Sequence, residues 1–236
     1  MLYNIKENLT QKIRQDFDRL ALYDCDEWNH NNHYHQFLLK QLPQKSQTIL
    51  DVGCGVGKFS RLLAYKADRV VAIDLSPKSI EIAQQRSKLF NNIDYQIVDV
   101  SQWEFPPQSF DVITSIATLH HLSLKELLPK LQAALKPGGV LIVLDLLEHQ
   151  NIQDILFDCI AVPLNWWFLK AKNKHIKLNS EAILAMREHS RTDEYLNLSQ
   201  VKQIYTSFLK TPKVRRHLFW RYSVVWYKPT KLLKQN

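Results

Sequence analysis

The stretch ILDVGCGVGKFSRLLA, residues 49–64, constrains this fold more than any other part of the chain. It sets three glycines within five residues, between an apolar run and a helical pattern. Glycine is required where a backbone takes a positive φ or must approach a neighbour more closely than a Cβ allows. The chain has five glycines in 236 residues, and the other two are Gly138 and Gly139 in LKPGGV. Their concentration at Gly53, Gly55 and Gly57 marks a strand–loop–helix junction shaped around a ligand. A strand from Thr48 to Val52 leads into the loop, and a helix begins near Lys58.

Further short β-branched runs alternate with helical patterns, as in βαβ units around a parallel sheet. They predict strands at Arg69 to Ile73, Asp94 to Val98, Asp111 to Ser115 and Val140 to Leu144. Their almost continuous apolar character implies helices on both faces. Ser76-Pro77 reads as an N-cap followed by proline at the first helical position. Ser123 and Glu126 look like a capping box, but Pro129 predicts that the helix they open breaks and restarts. After a helix from about Ser199 to Leu209, KVRRHLFWRYSVVWYKP suggests two final strands in a hairpin. The expectation is an α/β, Rossmann-like, doubly wound sheet of seven strands, mostly parallel, with an antiparallel C-terminal strand. Residues 1–45 are read as an N-terminal helical lid and 46–145 as the nucleotide-binding core. Residues 146–198 form a helical insertion after the fifth strand, and 199–236 complete the sheet.

Asp74 follows Gly55 by 19 positions, at the end of the second strand. There a carboxylate can accept from both hydroxyls of an adenosine ribose. The glycine pattern is GxGxG, not the GxGxxG that places a pyrophosphate on a helix N-terminus. Asp51, two residues before the first glycine, adds negative charge that suits a cationic cofactor tail better than a pyrophosphate.

With these motifs in order, residues 46–145 resemble the class I S-adenosylmethionine-dependent methyltransferases. The resemblance implies S-adenosylmethionine as cofactor and S-adenosylhomocysteine as product. It implies that DVGCGVG, with Asp51, Gly53, Cys54 and Gly55, holds the methionine part, and that Asp74 and Leu75 bind the ribose. In VDVSQWEF it implies that Asp99 accepts from the adenine amino group while the Val100 N–H meets a ring nitrogen. In FDVITSIATLHHL the Ile116 carbonyl falls where the cofactor's ammonium is usually met. LKPGGVLIV matches the family's turn into the fifth strand. The final hairpin agrees, because dehydrogenase sheets continue with a parallel strand.

A methyl group on sulfonium is already activated, so such an enzyme chiefly aligns a nucleophile and excludes water. Where the acceptor is a hydroxyl or a protonated amine, a histidine base helps. His121 in LHHL is the candidate, with a structural or cofactor-shaping role as the alternative. Residues His30, His33 and His35 lie close together, but no matching second half accompanies them, and no metal site is expected. His33, Tyr34 and Tyr23 are expected as lid residues, the alternative being polar packing of a surface helix. In the insertion, Trp166, Trp167 and Phe168 read as a lid over a hydrophobic substrate, as an interfacial helix on a membrane, or as core packing.

The net charge of +8 is uneven. From Ser199 onward stand nine cations, Lys202, Lys210, Lys213, Arg215, Arg216, Arg221, Lys228, Lys231 and Lys234, and no Asp or Glu. Lys170, Lys172, Lys174 and Lys177 follow the aromatic stretch of the insertion. The basic end, with Trp220, Tyr222 and Trp226 for stacking, supports an alternative reading as an RNA methyltransferase or RNA-binding relative. A small-molecule acceptor is the leading expectation. Cys25, Cys54 and Cys159 are far apart and odd in number, consistent with reduced thiols. No signal-peptide pattern or membrane span is visible, and a cytoplasmic location is expected.

Overall fold

The computed structural model describes residues 2–24, 28–148, 152–172, 180–191, 193 and 195–230. Cys25, Lys174, Lys177, Lys231 and Lys234 lie outside the described residues. Helix α1 (Leu2–Ala21) precedes two short helices, α2 (His30–His33) and α3 (His35–Leu39). The alternating region is β1 (Ser46–Val52), α4 (Lys58–Ala64), β2 (Ala67–Asp74), α5 (Pro77–Arg86), β3 (Ile93–Ile97), β4 (Phe110–Ile116), α6 (Leu124–Ala134) and β5 (Leu135–Leu146). Then come α7 (Ile152–Lys172), α8 (Ser180–Ser190), α9 (Leu198–Phe208), β6 (Lys213–His217) and β7 (Arg221–Tyr227).

The seven strands form one sheet of order β3-β2-β1-β4-β5-β7-β6. β1 pairs in parallel with both β2 and β4, and β7 runs antiparallel to both β5 and β6. The strand order therefore reverses at β1, and the crevice beyond its C-terminal end is where such sheets bind ligands. Successive side chains point to opposite faces, so each central strand feeds two cores. Leu50, Val52, Ile113, Leu141 and Val143 pack on one face with Leu128 and Leu131 of α6 and Tyr205 of α9. Ile49, Val70, Val112 and Ile142 pack on the other with Phe59 and Leu63 of α4 and Ile80 of α5. This two-sided burial is why the strands read as unbroken apolar runs.

The expected cap of α5 is present: the Ser76 hydroxyl accepts from the Ser79 N–H at 2.9 Å, and Pro77 opens the helix. The expected box at Ser123 is not, because its side chain makes no cap bond. Nor does Pro129 break α6, which runs through it. Leu124, Leu127, Leu128, Leu131 and Ala134 bury one continuous face, and that packing outweighs the backbone bond that proline removes.

Among the described residues no helix is long and apolar enough to cross a membrane. Tyr222 and Trp226 are core residues, 2% and 1% exposed, and the Trp220 indole N–H donates to Asp158 at 3.0 Å. Tyr222 and Trp226 are therefore not placed to stack on bases.

Ser76 also donates to Asp18 of α1 at 2.6 Å, so one hydroxyl caps α5 and anchors α1. Ser76→Ala is expected to lower stability by about 1 kcal/mol or somewhat more, within the range for a lost N-cap. Urea unfolding of both proteins measures it, and an unchanged midpoint would show that neither bond matters.

Candidate active site

Four chain segments meet beyond the C-terminal ends of β1, β2, β3 and β4. The loop after β1 is held by the sheet itself, since the N–H groups of Gly53 and Cys54 both donate to the Ile73 carbonyl, at 2.8 and 3.0 Å. Two of its glycines have different physical grounds. A Cβ on Gly57 would run into the Tyr95 ring and hydroxyl, whereas a Cβ on Gly55 would meet nothing within 4 Å. Gly55 lines the cavity described below, so a side chain there would project into ligand space.

Asp74 ties this loop to the next βα unit. Its Oδ2 accepts from the Gly55 N–H at 2.8 Å and its Oδ1 from the Ser76 N–H at 2.9 Å. Burial raises its carboxyl above the usual range, and the two N–H donors oppose that shift. Each oxygen keeps lone-pair capacity for a hydroxyl donor. Asp51 is fully enclosed, accepting from Ser60 at 2.7 Å and Thr114 at 2.9 Å. Burial pushes its carboxyl up to about 6 despite those two hydroxyls. Asp99 accepts from the backbone N–H and the hydroxyl of Ser101, at 2.9 and 2.7 Å.

A cavity of about 770 Å³ occupies the crevice. Of the residues implied for the cofactor, Gly53, Gly55, Asp74, Leu75, Asp99, Val100 and Ile116 line it, and so does His121. Asp51 and Cys54 do not: both are buried behind the loop, where burial raises the Cys54 thiol well above its ordinary value. Helix α1 covers the cavity with Leu9, Ile13, Phe17 and Leu20. Their spacing of four, four and three residues is a helical stripe already present in the sequence. Asp18 and the Asp24–Arg86 ion pair, at 2.9 Å, fasten this end of α1 to α5.

The expected lid residues divide. Tyr23 lines the cavity with its hydroxyl donated to Glu181 at 2.7 Å. His33 and Tyr34 do not line it. Tyr34 is turned into the core and donates to the Leu218 carbonyl at 2.7 Å, while His33 packs its ring against Trp28, Phe168 and Phe219. From that region Trp28, Asn29, His30 and Asn31 face the cavity instead. Trp166 and Trp167 are 66% and 57% exposed and do not enclose it; Phe168 is the member that packs, stacked on Trp28 at 5.0 Å. A single position along the helix, a rotation of about 100°, separates inward from outward side chains, and the sequence pattern of α7, apolar nearly all round, does not distinguish them.

Around His121 lies a polar cluster. His121 Nδ1 is 3.4 Å from Asp193 Oδ1, and its ring lies edge-on to Phe17, centroids 5.4 Å apart. His120 Nδ1 is 2.6 Å from Asp145 Oδ1, and His189 lies between Asp16 at 3.4 Å and Asp193 at 3.8 Å. Burial lowers the His121 pKa, so its imidazole is uncharged near neutral pH. Arg221, also on the cavity wall, donates through Nε to Asn31 Oδ1 at 2.9 Å. Asp193, His189 and Arg221 belong to no local motif, and sequence reading did not single them out as site residues.

An open sheet reversing at β1, with carboxylates at the ends of β2 and β3 around a glycine loop, defines a Rossmann-like α/β fold; the antiparallel β7 sets it apart from dehydrogenase sheets. Residues 49–139 match the methyltransferase-domain family. An uncharacterised methyltransferase of Mycobacterium tuberculosis is 36% identical over 119 residues, covering 49% of this chain. A demethylmenaquinone methyltransferase of Tropheryma whipplei is 33% identical over 141 residues, covering 57% of it. The chain spans 59% of the length of each of these two relatives. In fold it is similar to DhpI in complex with S-adenosylhomocysteine, with a TM-score of 0.64 at 16% identity over 95% of this chain and 98% of that one. Over residues 49–139 the chain is thus similar to methyltransferase domains, on a sheet of the same fold as those structures.

The two glycines should separate folding from binding. Gly57→Ala is expected to lower the melting temperature by several degrees, through the clash with Tyr95 and a left-handed φ of 74°. Gly55 also has a left-handed φ, of 52°, which asparagine tolerates better than other side chains, so Gly55→Asn is expected to shift the free protein less and to abolish the rise in melting temperature caused by S-adenosylhomocysteine. An equal ligand response in Gly55→Asn and wild type would remove Gly55 from the cofactor site.

Proposed function

We propose that the chain transfers a methyl group from S-adenosylmethionine to a small-molecule acceptor, inside the cavity beneath α1. The carrying observation is that a single cavity is lined by Gly55, Asp74 and Asp99 and also by His121. Asp74 takes the ribose hydroxyls, Asp99 and the Val100 N–H take the adenine, and the Ile116 carbonyl and the buried charge of Asp51 favour the ammonium group. Helix α1 acts as the lid that excludes water. With the cofactor bound, an activated methyl group stands ready; the chain's own residues orient it and the acceptor. His121, with Phe17 against its ring, faces the acceptor and offers an uncharged nitrogen lone pair. The acceptor atom forms its bond to the methyl carbon as the carbon–sulfur bond breaks. The electron pair stays on sulfur, and any acceptor proton leaves to a base or to water.

Asp74→Asn keeps the volume but loses the charge. It is expected to weaken S-adenosylhomocysteine binding by about 1–3 kcal/mol, the size of lost charge-assisted hydrogen bonds, with little change in unfolding. Unchanged affinity in a calorimetric titration would take Asp74 out of the ribose site.

Asp51 predicts a pH dependence. Its folded pKa of about 6 lies above the ordinary carboxylate value, so below it the group is protonated. A bound ammonium favours the ionised form, and binding at low pH must expel that proton. Affinity for S-adenosylhomocysteine should therefore rise between about pH 5 and pH 7 and level off above. Titration in buffers of different ionisation enthalpy should show proton release only on the rising limb. A flat profile would exclude Asp51 as the countercharge.

A further inference from the structure

His120, His121 and Asp193 each offer a ligand atom, and these atoms all lie within 4.8 Å of one another. We propose that they form a site for one divalent transition-metal ion of the zinc type, at the acceptor end of the cavity. The role of the ion in catalysis rests on the acceptor-side reading of His121 given above; its binding stands apart from that reading.

The distances fit. His121 Nδ1 and Asp193 Oδ1 are 3.4 Å apart, long for an N–H to carboxylate hydrogen bond. It matches the edge of a tetrahedron with metal–ligand bonds of about 2.0–2.1 Å, which is roughly 3.3–3.4 Å. The groups behind the ligands are those that orient them in metal sites. Asp145 is 0% exposed and meets His120 Nδ1 at 2.6 Å, leaving Nε2 as the free ring nitrogen. Asp145 is fixed in turn by the N–H groups of His120 and Leu146, at 3.0 and 2.8 Å. Tyr195 donates to Asp193 Oδ2 at 2.9 Å, leaving Oδ1 toward His121.

Ligand type narrows the ion. Asp145, Asp193 and Asp16 lie around the histidines. Two imidazoles with one carboxylate select zinc or a similar metal over magnesium or calcium, which take oxygen ligands. Three protein ligands leave a fourth position for water or substrate. His121 is the ligand that also lines the cavity, so an acceptor hydroxyl could take that position. The acceptor class is then an oxygen nucleophile, such as a phenol, enol or hydroxy acid. Its O–H proton passes to water as the oxygen bonds to the methyl carbon.

The full chain, stripped with chelator, is titrated with Zn²⁺ against a chromophoric indicator and with Co²⁺ by visible absorption. The expected result is one equivalent of Zn²⁺ and the intense visible bands of tetrahedral Co²⁺. Asp193→Ala and His121→Asn, checked for folding by circular dichroism, should each abolish both signals. Asp145→Asn should weaken binding by roughly 10–100-fold, as loss of an orienting partner does. His33→Asn, in the separate N-terminal cluster, should change nothing. Failure of the wild type to take up one equivalent overturns the site, whatever the variants do, and so does uptake that survives both ligand substitutions. S-adenosylhomocysteine is titrated into the same samples. Cofactor binding without Zn²⁺ overturns the ion and leaves the methyltransferase reading standing. Zn²⁺ binding without cofactor supports the ion and overturns that reading.

Discussion

The two hydrogen bonds from the Gly55 and Ser76 N–H groups to Asp74 are the contact on which the rest of the crevice depends. One buried carboxylate joins the loop after β1 to the start of α5, and through Ser76 and Asp18 it reaches α1. The loop is thereby held open where Gly55 has no side chain, and α1 is fastened to the same point. Keeping a carboxylate in a site that raises its pKa is unfavourable, but the two N–H donors reduce that penalty, and ribose hydroxyls would reduce it further. The sheet supplies the rigidity, with both faces of β1 and β4 closed by packed side chains.

The meeting of Gly53, Gly55, Asp74, Asp99 and Ile116 around one crevice was legible because it is local. Each of its parts sits within a few residues of a strand end, and strand ends are marked by apolar runs that stop at Gly53, Asp74, Asp99 or Ile116. Once the chain reads as alternating strands and helices, topology brings those ends together without further information. The capping of α5 was legible for the same reason. Pro129 was misread because a local rule met a tertiary one: the leucines of α6 bury a face that holds the helix together past its missing bond.

The cluster around His121 was not legible, because its members are far apart in the chain and their orientation depends on packing. His121 and Asp193 meet only because the segment after α8 returns to the end of β4. In NHNNHYH the histidines are adjacent in sequence yet divide in space, His30 toward the cavity and His33 toward the aromatic packing of α7. Tyr34 and the two tryptophans of α7 turn away from the cavity for the same reason: a rotation of one position on a helix exchanges core, cavity and solvent. Composition carried less than it promised. Two of the three aromatic residues in the basic end that could have stacked on a nucleic acid, Tyr222 and Trp226, instead fill the core beneath β5 and α9.

A crevice built for a methyl-donor nucleoside should take S-adenosylhomocysteine and refuse NAD, and parallel calorimetric titration of the wild-type chain with the two decides between them. Saturable, one-to-one binding of S-adenosylhomocysteine is expected, with no measurable binding of NAD. Binding of NAD alone, or of neither, would contradict it.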